Sequence, residues 1–343
     1  MIMRYLSVIL IAILTSHARA ECNFVTSDYI DEMTKPSNIS FIDVKIHKSS
    51  KFARNVFKIV TSKSDSGNIP PNLRKKFKAV VTVKYKFGNC SYQAMVRQSG
   101  DMKDHVKFVD DGPIQSLDVK LKDGNVFNAT RFKLLIPETR YGKNEILATL
   151  ILRDLGFIAP ETFEVNVSIN NVKALMLFQE KAEKELLEKN FRREGPIFEG
   201  DESLLWSYKD YGRFELEPLA LARLTNDNWF KKGYTSKQIV IKSYEDLQTS
   251  LLDYASKNLK DLNLHTVFPN SLKNKTFINY HSVLIAMNGI HALRPPNRKY
   301  YYNAIEGYFE PIYYDGNVMF IPPKKDWLFK PITQDIIDSL LPI

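Results

Sequence analysis

Residues 162–180, with the sequence TFEVNVSINNVKALMLFQE, stand where strand patterns give way to helical ones. Two runs rich in strand-forming residues, 162–169 and 173–178, are separated by the pair Asn170-Asn171. A short turn-forming pair between two such runs is typical of a β-hairpin. The stretch therefore predicts a hairpin, and we place the main boundary of the chain just after Glu180.

The chain before this hairpin is dominated by strand patterns. Residues 76–95 alternate in polarity and are rich in β-forming residues, with a turn signal at Gly88-Asn89. Two further strand patterns, 116–122 and 127–136, are followed by apolar residues at helical spacing over 144–155. We therefore predict a set of strands followed by one helix in this part of the chain.

The chain after Glu180 is mainly helical in pattern. Helical spacing covers residues 181–191, 244–258 and 277–287, and a strand hairpin returns at 298–314. Strands first and helices later predict an α+β protein of two lobes.

The N-terminus has the three parts of a secretory signal peptide. Arg4 supplies a positive charge, residues 5–15 form an almost unbroken apolar run, and Ala18 and Ala20 are the small residues that signal peptidase reads. The apolar run is shorter than the about 20 residues that a membrane-spanning helix needs. We expect an exported protein, periplasmic or extracellular, without a transmembrane anchor; an uncleaved anchor is the alternative.

Charge and cysteine content agree with export. The net charge is +9, and removal of Arg4 and Arg19 with the leader takes it to +7, which favours anionic partners; the alternative is a solvated basic surface. The lysines are scattered, so we expect no nucleic-acid binding. After cleavage, Cys22 and Cys90 remain, either joined as a disulfide in an oxidising compartment or present as two buried thiols.

Several short segments occur in an order and spacing that are hard to obtain by chance. They are RFKLL (131–135), RDLGFIAP (153–160), LFQE (177–180) followed by ELL (185–187), and NRKYYY (297–302) followed by PIYYD (311–315). In this order they resemble the CotH kinase family, a group of exported atypical protein kinases. The resemblance runs over residues 97–317.

The resemblance implies an atypical protein-kinase-like fold with two lobes, β-rich at the N-terminal side and mainly helical at the C-terminal side. We divide the chain into a signal peptide at 1–20, a β-rich region at 21–115, a small nucleotide-holding lobe at 116–180, and a helical lobe with a metal-site hairpin at 181–343.

The resemblance also implies an ATP site in the small lobe. Phosphoryl transfer requires mainly positioning and positive charge around the phosphates. Lys133, oriented by Glu145, is the candidate phosphate contact, with Arg140 as a second. The alternative for Lys133 is a strand lysine that merely points outward. The alternative for Glu145 is a carboxylate that suits the first turn of any helix because of the helix dipole. Gln179 and Glu180 stand where the lobes would join. We expect their backbone to contact the edge of the adenine; the alternative is that they only connect the lobes.

The closing hairpin is the expected site for magnesium. Asp315 follows an apolar strand, a setting in which a carboxylate can hold Mg²⁺, a cation that takes oxygen ligands. The resemblance implies that Asn297 supplies a neutral oxygen to the same ion. The alternative for Asp315 is an Asp-Gly turn that closes the strand. The loop at 99–105, which contains Gly100, is a further candidate for contact with phosphates, or else an ordinary turn.

One expected residue of the family is missing. CotH-like kinases are expected to carry a catalytic aspartate shortly before the asparagine, but residues 288–297, NGIHALRPPN, contain no carboxylate. His291 is the candidate general base beside the catalytic Asp315, because histidine exchanges protons near neutral pH. The alternative is a core histidine that holds the loop.

These residues predict an exported kinase that uses ATP and Mg²⁺ to transfer the γ-phosphoryl group to a hydroxyl of a protein or glycan in the cell envelope. The missing aspartate leaves two alternatives open, a catalytically inactive interaction protein and a nucleotidyl transferase that uses the same nucleotide.

Overall fold

The computed structural model describes residues 20–63, 67–201, 221–258, 267–268 and 274–320. Its strands are β1 Glu21–Cys22, β2 Ile39–Ile46, β3 Lys76–Tyr85, β4 Gly88–Gln98, β5 Val106–Val109, β6 Gly112–Gln115, β7 Leu117–Leu121, β8 Arg131–Leu135, β9 Thr162–Ile169, β10 Val172–Glu180, β11 Ile197–Gly200, β12 Ala222–Leu224, β13 Lys299–Asn303 and β14 Tyr308–Ile312. Its α-helices are α1 Thr26–Tyr29, α2 Ser49–Thr61, α3 Lys143–Asp154, α4 Lys184–Lys189, α5 Asp227–Phe230, α6 Tyr234–Asn258 and α7 Asn274–Ala286.

Seven strands close into a β-barrel. Their order around the barrel is β4, β3, β2, β9, β10, β8 and β7, and pairing of β7 with β4 completes the ring. Neighbouring strands are antiparallel except β2 and β9, which are parallel. The barrel therefore combines strands from both predicted segments, 21–115 and 116–180.

The prediction of a two-lobed, kinase-like fold is wrong, because the strands form this closed barrel. The part after Glu180 is also not simply helical, since it contains a four-stranded sheet in the order β12, β11, β13, β14. Closure depends on the pairings β4–β7 and β2–β9, which join segments far apart in the chain. A local alternation of polarity defines the faces of a strand but not its partners, so the sequence pattern did not reveal the closure.

The barrel interior is filled by alternate residues of its strands. In β8, Phe132 and Leu134 are fully buried, while Arg131 and Lys133, which alternate with them, point to the opposite face. The rings of Phe132 and Phe163 stack on Phe178 at centroid distances of 4.6 and 4.7 Å. Each such aromatic pair contributes about 0.5–1.5 kcal/mol beyond the burial of its area.

The predicted hairpin at 162–180 is confirmed as β9 and β10. Asn170 and Asn171 form its turn with φ angles of 49° and 74°. These left-handed conformations suit asparagine, whose short polar side chain tolerates them better than most side chains do. The helix predicted over 144–155 is likewise present as α3.

Helices pack on the second sheet in one further apolar cluster and against each other in another. Phe198 and Phe309 of the sheet pack with Leu247 of α6. Leu284 of α7 packs with Leu152 of α3, which links the C-terminal part to the barrel side of the molecule. This packing holds the end of β14, and the residues that follow it, against the outer face of the barrel.

The N-terminal strand is tied to the barrel by a disulfide between Cys22 of β1 and Cys90 of β4. Of the two alternatives for these cysteines, the structure contains the disulfide. Residues 1–19 of the predicted signal peptide lie outside the described ranges. None of the helices described here has the length and apolar character needed to cross a membrane.

Candidate functional site

A cavity of about 940 Å³ lies between the outer face of the barrel and the second sheet. Its basic side chains are Lys63, Arg74, Arg97, Arg131, Lys133, Lys181, Arg223 and Lys299. Its acidic residues are Asp101, Asp118, Glu180 and Glu199. Twice as many basic as acidic residues line the wall, so the cavity favours an anionic ligand.

A row of polar residues crosses the barrel strands along this wall. Arg97 of β4, Asp118 of β7, Lys133 of β8, Gln179 of β10 and Thr162 of β9 are consecutive register partners. Side chains in register on neighbouring strands share one face of a sheet. Because the alternate residues fill the barrel interior, this row lies on the outer face, and all of its members except Thr162 line the cavity.

One end of the row is a carboxylate surrounded by cations. Arg131 donates to both oxygens of Asp118 at 2.9 and 2.7 Å, Arg97 donates to it at 2.9 and 3.1 Å, and Lys181 Nζ lies 3.6 Å away. Burial alone would raise the pKa of Asp118, but the Arg131 hydrogen bonds and the neighbouring charges hold it well below its usual range. Glu183 also pairs with Arg131 at 3.0 Å, so three cations face two carboxylates and this group keeps a net positive charge.

Beside it, Lys133, the register partner of Asp118, belongs to a group of cations around an aromatic ring, which we name the Tyr314 cluster. Lys133 Nζ, Lys299 Nζ and Arg140 Cζ lie 4.6, 4.2 and 5.9 Å from the centroid of the Tyr314 ring. Lys133 also donates to Tyr314 Oη at 3.1 Å. Burial, aided by the charge of Arg140, lowers the pKa of Lys133 to about 8. The Tyr314 ring thus holds positive charges closer together than water-exposed side chains would lie.

Asp315, Arg140, His291 and Asn297, four of the predicted site residues, meet next to this cluster. Asp315 Oδ1 lies 3.0 Å from Arg140 Nη1 and 3.6 Å from His291 Nδ1. The backbone oxygen of Asp315 accepts a hydrogen bond from His291 Nδ1 at 2.8 Å, and Asn297 Nδ2 donates to the backbone oxygen of His291 at 2.9 Å. Burial alone would raise the pKa of Asp315, but the charge of Arg140 and the His291 contact hold it well below its usual range.

The short segments around these residues explain their positions. Arg140 ends the 3-10 turn Pro137–Arg140 that follows β8, and the turns Ile290–Leu293 and Pro295–Asn297 carry His291 and Asn297. Asp315 follows β14 with a φ of 54°, a left-handed conformation that turns its carboxylate away from the direction of the strand.

The predicted magnesium ligands offer one carboxylate, that of Asp315, and one amide oxygen, that of Asn297. Mg²⁺ demands near-octahedral oxygen ligands and is usually held by one or two carboxylates together with substrate phosphates. The carboxylate of Asp315 is ion-paired with the buried Arg140, while Asn297 bonds to His291 through its amide nitrogen and not through its amide oxygen. Among the described residues, Asp315 Oδ1 and Asn317 Oδ1 are buried oxygens without a hydrogen-bond partner. Within the described ranges, no three His, Cys, Asp or Glu side chains group together in a way that could hold a metal. We therefore derive no chemical step from the predicted Mg²⁺.

Glu145 does not orient Lys133 as predicted. Its fully buried carboxylate accepts hydrogen bonds from Gln179 Nε2 at 2.8 Å and from Tyr313 Oη at 2.6 Å. Burial raises the pKa of Glu145. Since Gln179 and Tyr313 both line the cavity, Glu145 supports its wall from behind, while Tyr314 orients Lys133.

The backbone of Gln179 and Glu180 does not meet a nucleotide base as predicted, because the barrel already uses it. Gln179 is in register with residues on both sides, and the N–H of Glu180 donates to the backbone oxygen of Glu161 at 3.0 Å. The Glu180 side chain pairs with Lys189 at 3.1 Å. Burial raises the pKa of Glu180 to about 7.

The loop at 99–105 borders the cavity, as predicted for a loop near phosphates. Ser99, Gly100 and Asp101 line the wall, and Gly100 packs against the ring of His105. His105 Nδ1 lies 2.9 Å from Ser116 Oγ. Burial, with the charge of Arg140, lowers the pKa of His105 to about 3, so this ring is neutral at physiological pH.

The sequence reading missed several cavity residues. Arg131 stands two positions before Lys133, so the alternation of RFKLL already placed both on one face of the strand. Lys299 and Tyr314 lie inside segments that carried the resemblance, but no local pattern singled them out. Asp118 could not be found without the cross-strand register, because its cationic partners come from other strands.

Comparison with protein-family models finds none that matches this chain, and comparison with curated proteins finds no match either.

Proposed function

We propose that this chain binds a nucleoside triphosphate such as ATP in the cavity, with the phosphates against the Tyr314 cluster. The observation that carries this proposal is the meeting of Lys133, Lys299 and Arg140 on the ring of Tyr314. Gathering like charges in a buried place is unfavourable, and a ligand with several negative charges removes that cost. Lys299 is in part compensated by Glu199, whereas Lys133 has no carboxylate at ion-pair distance in the part of the chain that the structure describes.

The size of the cavity supports a ligand of this kind. Small-molecule sites have volumes of roughly 300–1,000 Å³, and this cavity has about 940 Å³. Its two positive groups, around Tyr314 and around Asp118, lie side by side because Lys133 and Asp118 are register partners, and together they offer contacts for a phosphate chain.

Membership of the CotH kinase family and export to the periplasm or the extracellular space belong to the same proposal. The segments that resemble the family supply Lys133, Lys299, Tyr314 and Asp315, and the signal-like N-terminus supports export. The proposal concerns the site alone and does not include a kinase-like arrangement of lobes.

A second candidate function, transfer of the γ-phosphoryl group to a hydroxyl of an envelope protein or glycan, is favoured by the orientation of His291. A carbonyl oxygen only accepts, so the contact of His291 Nδ1 with the backbone oxygen of Asp315 puts the proton on Nδ1. Nε2 then carries the lone pair that a general base needs, and the amide nitrogen of Asn297 lies 3.4 Å from it. Without the expected aspartate, binding alone remains the better supported function.

Binding is tested by titrating the purified protein, without its leader, with ATP in a calorimeter. We expect Lys133→Met to weaken binding at least tenfold. Lys173→Met is the matched control, because Lys173 is an exposed lysine on β10 that does not line the cavity. Equal affinities for the two variants would overturn the proposed site.

Transfer is tested with ATP labelled at either the γ or the α phosphate. Label from the γ position on protein or glycan, lost in His291→Gln, supports a kinase. Label from the α position supports a nucleotidyl transferase. Binding without transfer of either label supports a non-catalytic nucleotide-binding protein.

A further inference from the structure

We propose that helix α2 binds the surface of a membrane that contains anionic lipids. In this arrangement the basic side chains of the helix contact the lipid headgroups, and the ring of Phe57 inserts between them. No residue of α2 lines the cavity, so the proposal does not depend on nucleotide binding.

The first observation is the charge of the segment that contains α2. Residues 44–64 hold six lysines and arginines and neither aspartate nor glutamate. Four of these cations, Lys48, Lys51, Arg54 and Lys58, follow one another at intervals of three or four positions, the spacing of neighbours on a helix surface. All four are exposed. The outer side of α2 is therefore strongly positive.

The second observation is that these charges are not compensated. Among the residues that the structure describes, none of the four cations forms an ion pair. Lysines on other helices do, since Lys184 pairs with Glu188 and Lys242 with Asp246. Like charges at this spacing destabilise a helix, and the first turn of α2 also lacks the carboxylates that favour the helix dipole. An anionic surface would remove this repulsion.

A second basic element lies beside the helix. The backbone N–H of His47 donates to the backbone oxygen of Lys78 at 3.0 Å, so strand β3 runs next to the start of α2. Asn55 Nδ2 donates to the backbone oxygen of Leu73 at 2.8 Å, which holds the chain before β3 against the helix. Lys76 and Lys78 of this strand are exposed. Positive charges from two elements suit an extended anionic surface better than a small anion.

Exposed apolar side chains favour a lipid surface over a soluble acidic polymer. Phe57 is 68% exposed and Val60 is 37% exposed, whereas Phe52 and Val56 of the same helix pack on the barrel. Helices that lie in a membrane interface combine lysine and arginine with aromatic and aliphatic side chains that enter the lipid. An acidic polysaccharide would neutralise the cations but leave Phe57 and Val60 in water.

Sedimentation with lipid vesicles tests the proposal on the purified protein without its leader. We expect vesicles of phosphatidylcholine with about one third phosphatidylglycerol to bind the protein at least tenfold more tightly than phosphatidylcholine alone. Salt at about 1 M should remove most of this difference, because it shortens the screening length to about 3 Å. Equal binding to both vesicles, or binding to neither, would overturn the proposal.

A triple variant tests whether α2 carries the binding. Lys51→Gln/Arg54→Gln/Lys58→Gln should weaken binding to the phosphatidylglycerol vesicles at least tenfold, since each lysine or arginine near an anionic surface strengthens binding about fivefold. The three side chains are exposed, so we expect the variant to fold. Binding as tight as that of the wild-type protein would overturn the proposal.

The matched control removes the same charge from another exposed helical region. Lys231→Gln/Lys237→Gln/Lys242→Gln changes lysines at the end of α5 and on α6, two of which pair with carboxylates, and should bind the vesicles as the wild-type protein does. Equal losses in the two triple variants would show that net charge decides binding and not α2, against the proposal.

A fluorescent reporter distinguishes lipid from a soluble polymer. We expect the emission of Phe57→Trp to shift to the blue with phosphatidylglycerol vesicles, because the indole enters the lipid. Ile241→Trp, at a position on α6 that is 53% exposed, should show no such shift. Binding to inorganic polyphosphate as tight as to the vesicles, without a shift for Phe57→Trp in either case, would identify a soluble polyanion as the partner and overturn the proposal.

Discussion

The ammonium of Lys133 couples ligand affinity to pH. Burial and the charge of Arg140 lower its pKa to about 8, and burial lowers that of Lys181 to about 8 as well. A lowered pKa means that the charge is lost as pH rises through 8. We therefore expect affinity for ATP to fall about tenfold between pH 7 and pH 9, since each unit above the pKa reduces the charged fraction tenfold.

Calorimetric titrations at pH 7, 8 and 9 measure this effect. Lys133→Met should bind ATP more weakly, and its affinity should change less with pH. Loss of the charge of Lys181 accounts for the pH dependence that remains. A variant that keeps the full slope would show that Lys133 does not contact the anion.

Gly100 offers a test of close packing next to the cavity. It has a φ of 84°, and a Cβ added to it would lie 1.9 Å from His105 Cδ2. Gly156 has nearly the same φ, 82°, but nothing lies within 4 Å of its added Cβ. We expect Gly156→Ala to reduce the free energy of unfolding by about 1 kcal/mol through backbone strain alone, and Gly100→Ala to reduce it by several times as much.

Denaturant unfolding of the two alanine variants separates two costs, because the two glycines have nearly the same φ. Both variants have the cost of backbone strain, whereas only Gly100→Ala has the cost of a steric clash with His105. Similar losses would mean that the His105 ring moves aside at little cost. In that case the loop at 99–105 would be less firmly packed than the structure shows.

At the scale of elements, local signals were enough to predict β9, β10 and α3. Each has a clear period, and the Asn170-Asn171 turn and Gly156 bound them. Closure of the barrel was not predictable in this way, because β2 and β7 find their partners across long stretches of chain. Long-range pairing is decided by which faces fit together in three dimensions.

The same distinction explains the site. Lys133, Arg140 and Asp315 lie near one another, and each follows or belongs to an element with a clear pattern. The contacts of Glu145 and Gln179 could not be read from local patterns, because they depend on how helix α3 packs against strand β10. In the closed barrel these two side chains bond to each other at 2.8 Å.

The disulfide is an element-scale feature because it fastens the two-residue strand β1 to β4. Cys22 and Cys90 are 68 positions apart in the chain, and on the chain-entropy model a loop of that length gives about 4 kcal/mol of stabilisation. We expect Cys22→Ala/Cys90→Ala to unfold at lower denaturant concentration, with a loss of about 2–4 kcal/mol. Affinity for ATP should be unchanged, because neither cysteine lines the cavity. Unchanged stability would show that β1 is held by its other contacts.

At the scale of the whole molecule, the cavity lies between two parts with separate apolar cores, the barrel and the second sheet with its helices. Lys133 and Asp118 come from the barrel, while Lys299 and Tyr314 come from the second sheet and the segment after it. Positive charges from both parts meet across the gap. In the absence of an anion their repulsion opposes close approach of the parts, and a polyphosphate would join them.

Nucleotide binding should therefore stabilise both parts together. A ligand present at 100 times its dissociation constant adds about 2.7 kcal/mol to the free energy of unfolding. We expect ATP at that level to slow amide hydrogen exchange in β8 of the barrel and in β13 of the second sheet to a similar degree, because the same bound molecule contacts both. Lys133→Met should lose the protection in both strands, whereas Lys173→Met should keep it. If ATP slowed exchange only in the barrel, the ligand would not lie between the two parts. Lys299 and Tyr314 would then not belong to the binding site.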